Sequence, residues 1–388
     1  MSYPLNDEPY SVYFTISSLI LCYNDLIGGG INMTKQQVRA KKPQHFNYIT
    51  FVNVIAALAV LLIHLNSWYA FSYGPRWAAA NALHSILMCA VPLFFMISGA
   101  TLIDYRKRYD TKTYFKKRFL KTLIPFIFWS IIAALVHRFW LRDHPMSDYQ
   151  FPDLINRIFD TRFIPIFWFF IPLFALYLII PILSAIDEQK RQKVFQYIII
   201  SSLILNFIIP YIISTMHIPI NFPLSFTANP CMATYYAVVG YYIHNYKIAK
   251  PIRISIYTVG IIALFVVCIG THILSYQFGE LRGFNTNSNE LLYALYSPAL
   301  FLFMKQFFSK HFTSPNGHLA RFAIFFNRYT FSLYLSHWFP IVFFSVWTGN
   351  AHDQWWYIPV MGPLCIILSM ILTKIFAKIP LLRHTLPS

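Results

Sequence analysis

The stretch VNVIAALAVLLIHLNSWY, residues 52–69, is apolar from Val52 to Ile63 except at Asn53, and then meets His64. An apolar segment of this length reads as a helix that crosses hydrocarbon, rising 1.5 Å per residue. An imidazole inside such a helix is costly unless it has partners, so His64 marks either a packing contact or a site of chemistry. Asn53 lies eleven residues earlier. Eleven steps of 100° return to within about 20° of the same face, about 16 Å away, so the two polar side chains share one stripe at two depths.

The same kind of segment recurs along the chain. Of 388 residues, 57% are hydrophobic and only 12% charged, against about 25% charged in an ordinary globular domain. About ten stretches have roughly the 17–25 residues needed to span a bilayer: 48–68, 84–103, 119–139, 163–185, 195–214, 227–246, 252–275, 289–308, 322–345 and 356–379. The expected fold is therefore all-α, a polytopic integral membrane protein. An even number of spans puts both termini on one side. Most of the 31 Lys and Arg then fall on that side, leaving Arg76, Arg138, Arg142, Arg157, Arg162 and Arg282 opposite. By the positive-inside rule both ends are cytoplasmic. The net charge of +17 is thus mainly a topology signal and gives no reason to expect nucleic acid. Part of it is also available to an anionic ligand at the inner face. The five cysteines are scattered, with neither a disulfide framework nor a metal-binding CxxC spacing, and no metal is expected.

Residues 1–45 read as an N-terminal tail, 46–380 as the membrane domain and 381–388 as a C-terminal tail. The run SVYFTISSLILC, residues 11–22, is too short to span, and acidic residues precede it, which makes a poor signal peptide. LIGGGINM places three glycines just before Met33. Translation either starts at Met33, with residues 1–32 not naturally made, or begins upstream and yields an amphipathic N-terminal segment.

Other polar residues fall within the apolar runs. The segment FNRYTFSLYLSHWFP carries His337 about as deep as His64, with Ser332 and Tyr334 about a turn below, and GTHILSY puts His272 at a similar level. These imidazoles read either as the rim of an aqueous cleft or as helix-packing groups bonded to neighbouring backbone.

Several segments together resemble the acyltransferase-3 family of bacterial membrane acyltransferases. NVIAALAVLLIHLNSWY is similar to its opening motif of arginine, ten residues, then histidine. VPLFFMISGATL (Val91 to Leu102) is similar to its Pro-Leu-Phe-Phe-x-x-Ser-Gly signature. In YFKKRFLKTLIPFIFWS, Arg118 and Lys121 precede Pro125 as the family's Arg-x-x-Arg precedes proline. FWFFIPLFALYLIIPIL (Phe167 to Leu183) and NRYTFSLYLSHWFPI resemble its fourth-helix and late histidine-containing segments. The likeness runs in order over about residues 46–380, and within the family it points to the subgroup that O-acetylates surface polysaccharides such as enterobacterial common antigen. A separate C-terminal esterase domain is not expected.

The resemblance implies an O-acyltransferase of the bacterial inner membrane. It would move an acyl group, acetyl in the first instance, from cytoplasmic acyl-CoA to a hydroxyl of a surface glycan or its lipid-linked precursor. Acetyl-CoA is then a donor substrate, and no tightly bound cofactor is expected. Such chemistry needs a base for the hydroxyl proton and a place for the donor's phosphates. His64 is the candidate base or transient acyl carrier, since imidazole is poised near neutral pH, and His337 is the second candidate. Arg118, Lys121 and Lys117 are candidates for the phosphates, although basic loops of this kind also fix topology and touch anionic lipid. Trp168 and Ser98 are candidate substrate contacts, with interfacial anchoring and helix packing as their plainer uses. Asn53 stands where the family has arginine, so it can donate a hydrogen bond but supplies no charge. The rival class is a transporter or flippase of glycan assembly, which ten helices and interior prolines would suit. Against it, no Asp, Glu, Lys or Arg stands in the middle of any expected span.

Overall fold

The computed structural model describes residues 48–66, 77–218, 229–282, 289–312, 316–348 and 356–379. The N-terminal tail, the alternative start at Met33 and the C-terminal tail lie outside the described residues. Among the described residues every regular element is a helix. Apart from the short helical turns Met146–Tyr149 and Asp153–Phe159, we number them α1 (Tyr48–Leu65), α2 (Trp77–Lys107), α3 (Thr111–Leu141), α4 (Pro165–Ala185), α5 (Glu188–Thr215), α6 (Asn229–Asn245), α7 (Lys250–Phe278), α8 (Asn289–His311), α9 (His318–Asn327), α10 (Thr330–Ser336), α11 (Trp338–Trp347) and α12 (Tyr357–Phe376).

Eight of these are long and apolar enough to cross a membrane, which bears out the all-α polytopic class. The other two expected spans take different forms. Residues 227–246 contribute α6, of 17 residues. Residues 322–345, expected as one helix, are divided among α9, α10 and α11, with breaks at Arg328–Tyr329 and at His337.

Prolines shape the long helices. In α3 the backbone widens into a π turn at Phe119–Leu123 just ahead of Pro125, and in α5 it does so at Ile204–Ile208 ahead of Pro210. A proline has no N–H to give and its ring collides with the carbonyl four residues back, so the preceding turn opens. The start of α3 is capped by Asp110, whose carboxylate accepts the Thr113 N–H at 3.2 Å. Hydrogen bonding from Thr113, its side chain foremost and this backbone N–H with it, holds the Asp110 carboxyl below the usual carboxylate range, so its capping is present at neutral pH and is lost as the pH falls through that range. α7 ends at Gly279, whose φ of 66° is the left-handed conformation that closes helices.

α2 and α6 pack at the centre. A Cβ built on Gly99 would stand 1.8 Å from the Ala237 carbonyl oxygen, and one on Gly240 would stand 2.4 Å from the Met96 Cα. Each glycine thus admits the backbone of the opposite helix, the close approach that small residues allow in membranes. At one end of this pair the buried Arg191 of α5 donates to Asp104 at 2.8 Å, to the Tyr241 hydroxyl at 3.1 Å, and to the Ser184 and Ile186 carbonyls at 3.0 and 2.7 Å. One guanidinium therefore joins the ends of α2, α4, α5 and α6. α7 lies at the edge and leaves Ile254, Ile261, Ile262, Phe265, Ile269 and Ile273 exposed, the face a helix presents to lipid.

Because the neighbouring atoms at Gly99 and Gly240 are backbone, neither contact can be relieved by a rotamer change. Gly99→Ala and Gly240→Ala should each destabilise the protein by more than the about 1–3 kcal/mol usual for overpacking. Thermal unfolding in detergent measures this, and a wild-type midpoint for either variant would refute the packing.

Candidate active site

α1 places His64 in its last turn. The His64 ring lies 5.4 Å from that of His337, centroid to centroid, with 34° between the planes. His84 of α2 is also within electrostatic reach of His64. His337 occupies the break between α10 and α11 and is 1% exposed. Its Nδ1 lies 2.9 Å from both the Leu333 and the Tyr334 carbonyl oxygens. Carbonyls only accept, so Nδ1 carries the hydrogen, and the lone pair of the neutral ring is on Nε2. That Nε2 is buried and has no hydrogen-bond partner. A buried acceptor left open beside a second imidazole is able to take a hydrogen bond from that ring or from a ligand.

Tyr334 connects this pair to a cavity. Its ring is 5.8 Å from His337 and is edged by Phe94, Phe169 and Phe170, while its hydroxyl donates to the Ile166 carbonyl at 2.8 Å. Held at both ends, Tyr334 forms one wall of a pocket of about 280 Å³ that also receives Asn53, Ser98, Arg118, Lys121 and Tyr177. Arg118 comes from the turn that Pro125 widens. Its guanidinium carbon lies 5.6 Å from the centre of the Tyr177 ring, and its Nε is buried without a hydrogen-bond acceptor. A cationic donor so placed suits an anionic ligand.

Asn53 answers the break between α9 and α10. Its amide nitrogen donates to Asn327 Oδ1 at 2.7 Å and to Thr330 Oγ1 at 2.9 Å, and the Thr330 hydroxyl donates to the Asn327 carbonyl at 2.9 Å. Both amide hydrogens are therefore used in tying α1 to the interrupted segment.

The residues singled out from the sequence thus separate into groups. His64 and His337 form a pair; Asn53, Ser98, Arg118 and Lys121 line the pocket. Lys117 stands apart, its Nζ 3.9 Å from the centre of the Tyr109 ring, and Trp168 is 41% exposed and does not line the pocket. His272 stacks on Trp77 at 5.8 Å. Sequence reasoning missed Asn327 and Thr330, although the polar run NRYT inside an apolar segment was a usable signal.

A polytopic membrane protein with two facing imidazoles above a cation-lined pocket has the parts for group transfer. A family model described as an acyltransferase domain, that of the acyltransferase-3 family, matches residues 46–374. The chain belongs to that family and is a multi-pass membrane acyltransferase. No curated protein and no solved structure matches it.

Removal of Asn53 tests the anchor. Asn53→Ala leaves the half-buried Asn327 amide oxygen without its donor, which costs about 1 kcal/mol. A lowered unfolding midpoint in detergent is expected, and Asn53→Ala at the wild-type midpoint would refute the anchor.

Proposed function

We propose that the protein is an O-acyltransferase, and in the first instance an O-acetyltransferase. It takes the acyl group from acyl-CoA at the basic face of the bacterial inner membrane and delivers it to a hydroxyl of a surface glycan or of its lipid-linked precursor. The observation that carries this reading is the alignment of the His64–His337 pair with the pocket, joined through Tyr334, with Arg118 and Lys121 lining the pocket.

In the proposed reaction the phosphates of the donor meet Arg118 and Lys121, and the pantetheine arm follows the pocket past Ser98 and Asn53 toward Tyr334. The acceptor hydroxyl approaches the histidines from the other end. His64 takes its proton as the oxygen attacks the thioester carbonyl. The tetrahedral oxyanion then collapses, the C–S bond breaks, and the proton leaves with the CoA thiol. If His64 acts instead as a transient acyl carrier, its ring nitrogen attacks the thioester carbonyl, the C–S bond breaks and CoA leaves as the thiol with the ring proton; the acceptor oxygen then attacks the acyl-imidazole, the C–N bond breaks and the hydroxyl proton returns to the ring. In the general-base course the open Nε2 of His337 is the acceptor toward which His64 turns its remaining N–H, which sets the tautomer of that ring. Asn53, its amide hydrogens held by Asn327 and Thr330, lines the path without adding charge, and lipid surrounds the outer helices.

Incubation of the purified protein with radiolabelled acetyl-CoA and candidate glycan acceptors should yield labelled ester. His64→Ala should lower the rate by about 10²–10⁴-fold, and His337→Ala should lower kcat with KM for the donor little changed. Arg118→Ala should raise KM for acetyl-CoA about tenfold or more, since a charge-assisted phosphate contact contributes roughly 1.5–3 kcal/mol. A folded His64→Ala variant with full activity would refute the assignment.

A further inference from the structure

Far from Arg118 along α3, the helix finishes in a wide turn, His137–Leu141, and reverses at Arg142, whose φ is 56°. The reversal brings Asp143 and His144 back against His137. His137 Nδ1 is 2.7 Å from Asp143 Oδ1, and the rings of His137 and His144 lie 4.7 Å apart, nearly perpendicular at 81°. The ligand-capable atoms of the three side chains are all within 4.8 Å of one another.

The hydrogen bonds around this cluster leave it short of one cation. His137 Nε2 is 2.9 Å from the Phe163 carbonyl, which can only accept, so Nε2 carries the hydrogen of the neutral ring and the Nδ1 lone pair faces a carboxylate oxygen. Two acceptors 2.7 Å apart need a positive centre between them, either a proton or a metal ion. His144 is prepared in the manner of a metal ligand. Its Nδ1 is 3.0 Å from Asp148 Oδ2, and Asp148, with a side chain only 4% exposed, is itself fixed by Arg157 at 2.9 Å. A carboxylate on one imidazole nitrogen orients the other toward a metal and raises its basicity. Beside the cluster, the Tyr149 hydroxyl is buried without a partner and feels the Asp143 charge.

We propose that His137, Asp143 and His144 bind a divalent transition-metal ion of the zinc class, with water in the fourth position. Ligands about 2.0–2.1 Å from a tetrahedral ion stand about 3.3 Å from one another. The separations here bracket that spacing, and rotation of Asp143, whose side chain is 50% exposed, closes the set. Two imidazoles and a carboxylate favour zinc, copper or nickel over calcium or magnesium. The ion ties the end of α3 to the segment that returns to Phe163. Because the His137 ring is also 5.4 Å from that of Trp338, it steadies the neighbour of His337.

The test uses full-length protein in detergent, stripped with chelator and titrated with zinc, with the bound metal counted by mass spectrometry and cobalt substituted for its visible spectrum. One ion per chain and four-coordinate cobalt bands are expected. Asp143→Asn and His144→Ala should each weaken zinc binding about tenfold or more. Zinc should raise the unfolding midpoint of the wild type but not of His144→Ala. That variant removes a partly exposed ring and leaves the buried His137 in place, so the fold is retained. If the wild type takes up no more zinc than the Asp143→Asn/His144→Ala double variant, the proposal is overturned and the 2.7 Å contact is an imidazolium–carboxylate pair.

Discussion

The functional half of this protein depends on an interrupted helix. In hydrocarbon every backbone carbonyl and N–H must find a partner inside the protein, so a break in a membrane span is tolerated only where side chains supply those partners. The segment from His318 to Trp347 breaks twice, and each break is met by a named polar group. At the first, Thr330 donates to the Asn327 carbonyl, and Asn53 holds both residues from α1. At the second, His337 turns its own Nδ1 hydrogen onto the Leu333 and Tyr334 carbonyls. The second solution has a chemical consequence. By committing Nδ1 to the backbone, the helix end fixes the tautomer and leaves a lone pair on Nε2 of a ring 5.4 Å from that of His64.

That arrangement needs a rigid frame, and the frame comes from close backbone packing rather than from size-matched side chains. Gly99 and Gly240 let α2 and α6 meet, and the guanidinium of Arg191 satisfies four acceptors at the end of that contact. Removing one partner of such a buried network leaves a charge or carbonyl exposed to a low dielectric, so the network specifies the relative placement of its helices. Phe94 from α2 and Tyr177 from α4 are then both brought to the lining of the pocket.

Much of this was legible from residue order, and some of it was not. The apolar period of α1 announced a span and made His64 conspicuous, because a single imidazole is visible against eleven aliphatic neighbours. The wide turn ahead of Pro125 came only from the structure, whereas Arg118 was legible through the resembled motif that ends at that proline. The contrasting fates of Lys117 and Arg118 were not, since adjacent residues on a helix point about 100° apart and only the fold says which direction meets the pocket. Nor were the partners of Asn53, which lie 274 and 277 positions away. The segment 322–345 read as one helix because hydropathy averages over the window. The break lay in the polar triplet of Asn327, Arg328 and Thr330, whose weight in such an average is small.

An asparagine at position 53, where the resembled motif has arginine, acquires a physical reason from the same geometry. The pocket already receives Arg118 and Lys121, and none of its lining residues is acidic. A third cation on α1 would add like-charge repulsion with no carboxylate beside it, and in a partly dry cavity that repulsion is weakly screened. What the helix break requires of this position is donors, two of them, directed at Asn327 and Thr330. A carboxamide supplies both hydrogens at no electrostatic cost. In the proposed donor site the positive charge of the pocket is then set by Arg118 and Lys121 alone and is balanced by the incoming phosphates. Anchoring α1 and attracting the donor, two tasks that one arginine can combine, are here divided between Asn53 and the pair at the mouth of α3.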